Sequence, residues 1–226
     1  MTRPLGLLRP EPGWSASAAA ARSLGLEVVG HPLFLAEAIA WASPPGEFDA
    51  LLAGSAAAFR NGGAGLAALA HLPVYAVGEA TEEAARAAGF AVERTGEGGL
   101  QSLLDQSAGL ARRFLRLAGE ERVELVPHPG QAISDLVVYR MAPRPLAPDF
   151  AQVLAASQPV IALHSAAAAE HFAREVDRLD LARGELVLAA LGARIAAAAG
   201  AGWAALHVAD RPRDAALLAK AAALCK

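Results

Sequence analysis

The stretch AVGEATEEAARAAGF, Ala76–Phe90, decides the fold of this chain. It continues an apolar run that starts at Leu72, passes through Gly78 and turns at once into an alanine-rich helical pattern. A similar pattern returns in ALGARIAAAAGAGW, Ala190–Trp203. A short apolar run followed by a glycine and a helical segment is typical of α/β units with parallel strands. The repetition predicts that one α/β unit is used twice.

Further pairs of motifs extend the repeat in both directions. ALLAGSAAAFR, residues 50–60, matches VIALHSAAAAEHF, residues 160–172, and this match places Ser55 over Ser165. A weaker similarity links LLRPEPG near the start of the chain to LRLAGEE in its middle. The first strand–helix–strand of the chain therefore corresponds to the end of the middle unit, which makes the repeat circularly shifted.

A circularly shifted repeat predicts one continuous and one discontinuous domain. We expect residues 1–34 to pack with residues 145–226 and residues 37–138 to form an inserted lobe, with linkers at about 35–36 and 139–144. Because strands alternate with helices throughout, each lobe should be a parallel sheet with helices on both faces and right-handed crossovers. Two neighbouring linkers make a hinge, and a cleft between the lobes is the expected binding site.

The composition excludes several classes of protein. The 226 residues carry a net charge of −3, which gives no basic field of the kind that duplex nucleic acid requires. No run of about 18 apolar residues predicts a membrane span, and the N-terminus lacks the apolar region of a secretory signal. Cys225 is the only cysteine, so an internal disulfide is impossible. We expect a soluble, cytoplasmic protein that binds neither nucleic acid nor membranes.

Familiar catalytic and metal-binding motifs are missing from the sequence. There is no P-loop, no glycine-rich dinucleotide turn with the right spacing, no nucleophile elbow and no HExxH helix. His164 and His171 lie close together at a predicted helix start, and a metal pair is one interpretation of them. Surface or partly buried histidines are the alternative and the more frequent case, and we expect no metal site.

Four predicted strands end at a residue that also opens a helix. At the carboxyl edge of a parallel sheet, the first amides of such helices lack partners and, together with the helix dipole, can bind anions. Each of the four residues could equally be an ordinary cap, because every helix needs one. Taken together, the four favour a ligand that carries several anionic groups. They are Ser55, Gly78, Ser165 and Gly192.

Two arginines stand beside these turns in the sequence. Arg9 ends the first predicted strand, and Arg194 follows Gly192 by two positions. An arginine fork binds carboxylates in a bidentate manner, so both residues are candidates to bind an anionic ligand. A solvated arginine is the alternative for each of them.

The chain resembles the uroporphyrinogen-III synthase family over nearly its whole length. The similarity is carried by VYAVGEAT and AAGF, and by VVYR followed by a proline-rich link. It extends to LLRPEPG, FDALLAGSAAA and ALGARIAAAAGAGW. The resemblance implies two flavodoxin-like α/β lobes with parallel sheets, one of them discontinuous, joined by a two-stranded linker with a cleft between them.

The resemblance also implies a reaction. Members of the family take hydroxymethylbilane, a linear tetrapyrrole with eight carboxylates, and release its terminal hydroxyl as water. The resulting azafulvene is attacked at ring D through a spiro intermediate, ring D is inverted, and the macrocycle closes as uroporphyrinogen III. The family needs no metal and no organic cofactor.

The resemblance assigns the general acid to a tyrosine in the VYR motif, which Tyr139 matches here. A phenol is protonated at neutral pH and can donate a proton to a leaving hydroxyl. An aromatic side chain that packs between the lobes is the alternative for this position. Tyr75 lies inside a predicted core strand, where we expect a structural role.

Family members bind carboxylates largely through backbone amides at helix starts. The matching positions are Ser55–Ala56, Gly78–Thr81, Ser165–Ala166 and Gly192–Arg194. The Gly192 turn is the better anion site, because the Gly78 turn carries three glutamates that already satisfy its helix dipole and would repel a polycarboxylate. The contribution expected from the Gly78 turn is a set of backbone amides near Thr81.

The sequence departs from the family pattern at several places in these turns. Gly54 and Ala57 stand where a threonine and an asparagine are usual in the inserted lobe, and His164 and Ile195 stand where threonines are usual in the other. Backbone contacts tolerate such changes. Side-chain contacts at these positions do not carry over from the family.

The resemblance further implies a monomer that acts on a small molecule, with a transient handover of hydroxymethylbilane from hydroxymethylbilane synthase. The alternative is a non-catalytic two-lobe protein on the same fold that binds polyanions or tetrapyrroles, or that acts as a sensor. The two hypotheses differ in whether the chain yields uroporphyrinogen III.

Overall fold

The computed structural model describes residues 2–226, which divide into two compact units. The discontinuous unit combines the residues up to Leu35 with Pro143–Lys226. The inserted unit is Ala36–Ala142. No helix among residues 2–226 has both the length and the apolar character that crossing a bilayer requires.

Strands and helices alternate along most of the chain. In chain order, the strands within residues 2–226 are β1 (Leu5–Leu7), β2 (Val28–Val29), β3 (Phe34–Ala38), β4 (Ala50–Ala53), β5 (Val74–Val77), β6 (Val92–Gly96), β7 (Arg112–Gly119), β8 (Gln131–Pro143), β9 (Val160–Leu163), β10 (Val187–Ala190) and β11 (Ala205–Val208). The helices in the same residues are α1 (Gly13–Ser23), α2 (Ala56–Asn61), α3 (Glu79–Ala87), α4 (Leu100–Asp105), α5 (Pro148–Ser157), α6 (Ala166–Arg178), α7 (Ala193–Ala199) and α8 (Asp214–Leu224). Two short 3₁₀ helices add to them, Ala64–Leu69 and Arg183–Glu185.

The sheet of the discontinuous unit has the strand order β11-β10-β9-β1-β2, and its paired strands run parallel. The central strands are unbroken apolar runs because helices cover both faces of the sheet. One core is built from α5, α6 and α7 and includes Phe150, Phe172 and Ile195. A second core is built from α1 and α8 and includes Ala18 and Leu217. Since the strands are parallel, their carboxyl ends emerge at one edge of this sheet.

The sheet of the inserted unit has the order β3-β8-β7-β4-β5-β6. The pairs β4–β5, β4–β7, β5–β6 and β7–β8 are parallel. One core joins α2 and α3 to the sheet and includes Phe59 and Phe90, whose rings are 5.4 Å apart. A smaller core includes Leu103 of α4 and Phe114 of β7. The carboxyl ends of β4 to β8 again share one edge.

The segments expected to be linkers are strands in the structure. Residues 35–36 lie within β3, and residues 139–143 form the last part of β8, the neighbouring strand of the same sheet. The Ile39 amide donates to the Val138 carbonyl at 3.0 Å. β3 and β8 are thus paired strands of the sheet of the inserted unit, and this pairing provides hydrogen-bond partners for their backbone groups.

Both units share one topology. Counted along the chain, the strands of the discontinuous unit have the order 2-1-3-4-5, which is the order of flavodoxin. The five parallel strands of the inserted unit have the same order if counting starts at β7 and continues through β8, β4, β5 and β6. β7 and β8 therefore correspond to β1 and β2, which is the relation that the circularly shifted repeat predicts. The predicted fold class of two flavodoxin-like lobes is confirmed.

Candidate active site

The two serines at the strand ends cap the helices that follow them. Ser55 Oγ accepts from the Ala57 amide at 3.2 Å, and Ser165 Oγ accepts from the Ala168 amide at 3.2 Å. Each serine oxygen is therefore engaged in the turn of its own helix. The groups left for a ligand at these turns are the first helical amides, those of Ala56 and Ala166, which have no partner inside their helices.

The Gly78 turn needs its glycine. Gly78 has φ +75°, a left-handed conformation that other residues adopt only with strain. Its carbonyl accepts from the amides of Thr81 and Glu82, both at 3.1 Å, and the Thr81 side chain is buried. The Thr81 amide is thus already engaged. The amides at the open start of α3 are those of Glu79 and Ala80 instead.

Acidic side chains surround the Gly78 turn. Glu82 accepts from Thr95 Oγ1 at 2.6 Å and from Arg86 at 2.8 Å. The hydrogen bond from Thr95, followed by that from Arg86, lowers the pKa of Glu82 below its ordinary value, so this carboxylate stays charged. Glu79 and Glu83 are exposed. An anionic ligand at this turn would meet negative charge as well as amides.

The Gly192 turn is open and carries positive charge. Gly192 is extended, with φ −165°, and its carbonyl accepts from the amides of Ile195 and Ala196. Ala193 and Arg194 are exposed, and the first turn of α7 contains no acidic residue. Within residues 2–226, no carboxylate lies within salt-bridge distance of the Arg194 guanidinium. This turn combines the features expected of the better anion site.

Arg9 is an ion-paired residue rather than a solvated arginine. Its Nη1 donates to Ser17 Oγ at 2.8 Å and to Asp214 Oδ1 at 3.3 Å. Ser17 Oγ in turn donates to Asp214 Oδ2 at 2.7 Å, and His164 Nε2 lies 2.8 Å from Asp214 Oδ1. The four side chains form one network, here called the Arg9 network, at the carboxyl ends of β1 and β9.

The protonation states within the Arg9 network follow from burial. Burial lowers the pKa of His164 below its ordinary value and outweighs the opposing effect of Asp214. Burial alone would raise the pKa of Asp214, but the hydrogen bonds from Ser17 and His164 and the charge of Arg9 reverse the shift and lower it. At neutral pH, a neutral His164 therefore donates its Nε2 hydrogen to an ionised Asp214.

Acidification from about pH 7 to about pH 5.5 is expected to destabilise the fold through His164. Because the pKa of His164 is lowered in the folded chain, the unfolded chain takes up a proton at a higher pH than the folded chain does. The stability that the neutral ring confers is complete above the ordinary histidine pKa of about 6.5 and declines below it. Thermal melts of the wild type and of His164→Asn test this expectation. The wild type should lose more melting temperature than the variant over that range, and equal losses would contradict the assignment.

Tyr139 lies in β8 beside the end of β7. Its carbonyl accepts from the Glu120 amide at 2.9 Å, and its half-buried ring packs against the larger core of the inserted unit. The ring covers Gly119, where an added Cβ would lie 2.8 Å from Tyr139 Cζ and 3.0 Å from its Oη. Within residues 2–226, the Tyr139 hydroxyl has no hydrogen-bond partner. A held ring with an unengaged hydroxyl is an arrangement that can donate a proton to a ligand.

Comparison with protein-family models places the chain in a known family. The model described as uroporphyrinogen-III synthase HemD matches residues 15–219. The chain belongs to the uroporphyrinogen-III synthase family. Members of this family are cyclising hydro-lyases of haem biosynthesis that act on a tetrapyrrole, and this chain is one of them. Comparison with curated proteins finds no significant match.

Solved structures of uroporphyrinogen-III synthases are similar to this chain. The enzyme of Helicobacter pylori is 19% identical, with a TM-score of 0.64 over 98% of this chain and 99% of its own. A mutant of the Thermus thermophilus enzyme is 18% identical, with a TM-score of 0.49 over 99% of this chain and 100% of its own. At such low identity, the first similarity supports the fold.

Tyr75, His164 and His171 each form a hydrogen-bonding contact with another part of the chain in this family member. Tyr75 is buried, and its hydroxyl donates to Glu93 at 2.6 Å. Burial, followed by that hydrogen bond, raises the pKa of Tyr75 to about 12. His171 Nε2 contacts the Arg144 carbonyl at 2.7 Å, whereas the His164 ring contacts Asp214. The two histidine rings therefore contact different groups of the chain.

Two residues of the candidate site carry no signal in the sequence. Asp214 is the first residue of α8, where a carboxylate would be explained by the helix dipole alone. Its pairing with Arg9 joins residues 205 positions apart. Gly119 is recognisable only as a glycine after an apolar run, and its packing under the Tyr139 ring depends on the register of β7 and β8. Both features are tertiary, so no local pattern could have revealed them.

Proposed function

We propose that this synthase uses Tyr139 as the general acid that protonates the leaving hydroxyl of hydroxymethylbilane. The Tyr139 proton passes to the hydroxyl oxygen as the carbon–oxygen bond breaks and water leaves. The nitrogen lone pair of the pyrrole that carried the hydroxyl group forms the exocyclic double bond of the azafulvene, which is protonated at this stage. The substituted α-carbon of ring D then attacks the exposed carbon and forms the spiro intermediate. The bond from this α-carbon to the methylene of ring C breaks, the methylene bonds to the free α-carbon of ring D, and the proton lost from that carbon restores the phenol. The sum is one hydroxymethylbilane converted to uroporphyrinogen III and one water.

The observation that carries this role is the free hydroxyl of a held tyrosine. The backbone of Tyr139 is fixed by the Glu120 amide and its ring by Gly119, while its Oη keeps its full capacity to donate. Tyr75, the other tyrosine of the chain, donates its proton to Glu93 inside the core. A positioned general acid contributes about 10²–10⁴-fold to a rate. The alternative role of Tyr139, as packing alone, would leave its hydroxyl without a purpose.

The second part of the proposal concerns the eight carboxylates of the substrate. We infer that the edge of the discontinuous unit binds them through the amides of Ala166 and Ala193 and through Arg194. The inserted unit contributes the amides of Ala56, Glu79 and Ala80 at its own edge. The Gly192 turn should bind more strongly than the Gly78 turn, because Arg194 has no competing carboxylate whereas Glu79 and Glu83 remain exposed. Such amide and arginine contacts fold the flexible substrate into a reactive geometry, which can lower the barrier by several kcal/mol, and at most about 7–11 kcal/mol.

Replacement of Arg194 by alanine is expected to raise KM about tenfold with little change in kcat. The reason is that a charge-assisted hydrogen bond to a carboxylate contributes about 1.5–3 kcal/mol in both the ground and the transition state. Steady-state kinetics measure the effect. Arg174→Ala is the matched control, since it removes an exposed arginine charge from the middle of α6. A KM that is the same in both variants would contradict the role of Arg194.

The remaining inferences concern the setting of the enzyme. We infer that it acts as a monomer in the cytoplasm and receives hydroxymethylbilane by transient handover from hydroxymethylbilane synthase. Size-exclusion chromatography with light scattering tests the monomer. The handover is tested by the rate of the reaction coupled to hydroxymethylbilane synthase. A rate higher than free diffusion of the intermediate allows would support it. The product isomer tests the reaction itself and separates it from a non-catalytic binding or sensor protein.

A further inference from the structure

The two units have equivalent positions at the carboxyl edges of their sheets. β4 and β9 are the third strands of the shared topology, and the serine caps that follow them make Gly54 equivalent to His164. β6 and β11 are the fifth strands, and the helices that follow them begin at Leu100 and Asp214. The pair Gly54–Leu100 of the inserted unit therefore corresponds to the pair His164–Asp214 of the discontinuous unit.

The inserted unit closes this position with an apolar contact. A Cβ on Gly54 would lie 2.9 Å from Leu100 Cδ1 and 3.0 Å from its Cγ, so the leucine side chain lies directly over the glycine. Leu100 packs there against the smaller core of its unit. The fold thus needs no polar group at this place, because a leucine that packs over a glycine fills the space between the strand end and the helix.

The discontinuous unit has buried polar side chains at the same place, and these stabilise the fold less than an apolar contact would. The His164 side chain is only 7% exposed, and its buried Nδ1 has no hydrogen-bond partner within residues 2–226. A buried polar atom without a partner and a partly desolvated ion pair both cost stability relative to an apolar contact. The Arg9 network is therefore not explained by the needs of the fold.

The Arg9 network holds one guanidinium from two sides. Nη1 is fixed by Ser17 and by Asp214. The guanidinium also packs closely against Gly13, where an added Cβ would be 2.7 Å from both Cζ and Nη2. The side chain of Arg9 is 29% exposed. Within residues 2–226, its Nε and Nη2 hydrogens have no acceptor, and neither nitrogen is fully buried, so both remain available to a ligand.

We propose that Asp214 is a positioning residue that holds Arg9 so that its free Nε and Nη2 hydrogens bind one carboxylate of the substrate. His164 donates to Asp214 and keeps that carboxylate turned toward the arginine, and Ser17 bridges the two. This inference rests on the proposed function, because it concerns a carboxylate of the same polyanionic substrate. An arginine fork held in one orientation loses less freedom when it binds a carboxylate than a solvated arginine does.

The proposal predicts an effect opposite to that of charge alone. Asp214→Asn removes a negative charge beside the binding edge, and charge alone would then tighten the binding of a polyanion. If Asp214 acts by orienting Arg9, the same substitution weakens binding. The sign of the change in KM therefore distinguishes a positioning carboxylate from one that merely adds charge.

A double-mutant cycle on Arg9 and Asp214 tests the proposal. Arg9→Ala and Asp214→Asn should each raise KM, by about tenfold and about fivefold, with kcat nearly unchanged. The double variant should be no worse than Arg9→Ala, because Asp214 acts through Arg9. Asp177→Asn is the matched control: it breaks the Arg183–Asp177 ion pair, 2.6 Å long, on α6 and should leave KM unchanged.

A second variant separates this role from folding. His164→Gly together with Asp214→Leu installs the residue pair of the inserted unit, and it should keep or raise the melting temperature while KM rises as in Asp214→Asn. An unchanged or lower KM in Asp214→Asn and in this variant, or additive effects in the cycle, would overturn the proposal. A wild-type chain that forms no uroporphyrinogen III would instead overturn the proposed function.

Discussion

Replacement of Tyr139 by phenylalanine is expected to lower kcat about 100-fold and to leave KM nearly unchanged. The substitution removes only the hydroxyl, and that group has no partner within residues 2–226. The ring should stay over Gly119, because the packing of the phenyl group does not depend on the oxygen. A general acid that acts only as the carbon–oxygen bond breaks contributes to kcat and not to substrate affinity. Steady-state kinetics in the reaction coupled to hydroxymethylbilane synthase measure both constants.

Tyr75→Phe is the matched control for this variant. It removes the only other phenol of the chain, whose hydroxyl donates to Glu93 in the core. We expect it to cost about 1 kcal/mol or more of stability, because Glu93 loses a donor, and to leave kcat unaffected. A kcat of Tyr139→Phe equal to that of the wild type would exclude the general-acid role and leave the ring as a packing group.

Gly119→Ala is expected to displace Tyr139 and to lower both kcat and stability. The new Cβ would lie 2.8 Å from Tyr139 Cζ, which is closer than atoms in proteins approach, so the ring must move. Overpacking of this kind costs about 1–3 kcal/mol. A displacement of about 1 Å at a catalytic group can reduce a rate about 100-fold. Thermal melts and steady-state kinetics on one preparation measure the two effects together.

Gly184→Ala is the control for the glycine substitution itself. A Cβ at Gly184 would meet no atom closer than the Gly202 carbonyl oxygen, at 3.9 Å, so this variant should behave as the wild type. The double variant Gly119→Ala/Tyr139→Ala provides a further test. Its loss of stability should be smaller than the sum of the losses in the two single variants, because the smaller side chain at position 139 no longer clashes with the new Cβ. Wild-type kcat in Gly119→Ala would show that the position of the Tyr139 ring does not matter to the reaction.

Much of the fold could be predicted because its signals are local. Apolar runs such as those of β4 and β9 end at a serine that caps the next helix, and this short pattern is repeated in both units. The circular shift followed from the order of the repeats along the chain. The strand β3 was not predicted, because FLAEA has a charged residue and no clean alternation. It is a strand because it pairs with β8, far away in the sequence.

The sequence predicts those parts of the candidate site that are formed by the backbone at helix starts, and it does not predict the side-chain contacts. Helix starts at Gly78 and Gly192 follow from the sequence, since glycine after an apolar run indicates a sharp turn. That the Thr81 amide is engaged with Gly78 depends on how tightly the first turn of α3 is wound. The pairing of Arg9 with Asp214 depends on the packing of α8 against α1 and β9. No sequence pattern specifies either of these tertiary arrangements.

The measurement that tests the account most directly is the isomer of the product. The purified chain is added to hydroxymethylbilane synthase and its substrate, the products are oxidised to porphyrins, and the type III and type I isomers are separated by chromatography. We predict that the type III isomer predominates with the wild type and falls toward the level of the uncatalysed reaction with Tyr139→Phe. Formation of the type I isomer alone, as without the chain, would contradict the assignment as a uroporphyrinogen-III synthase.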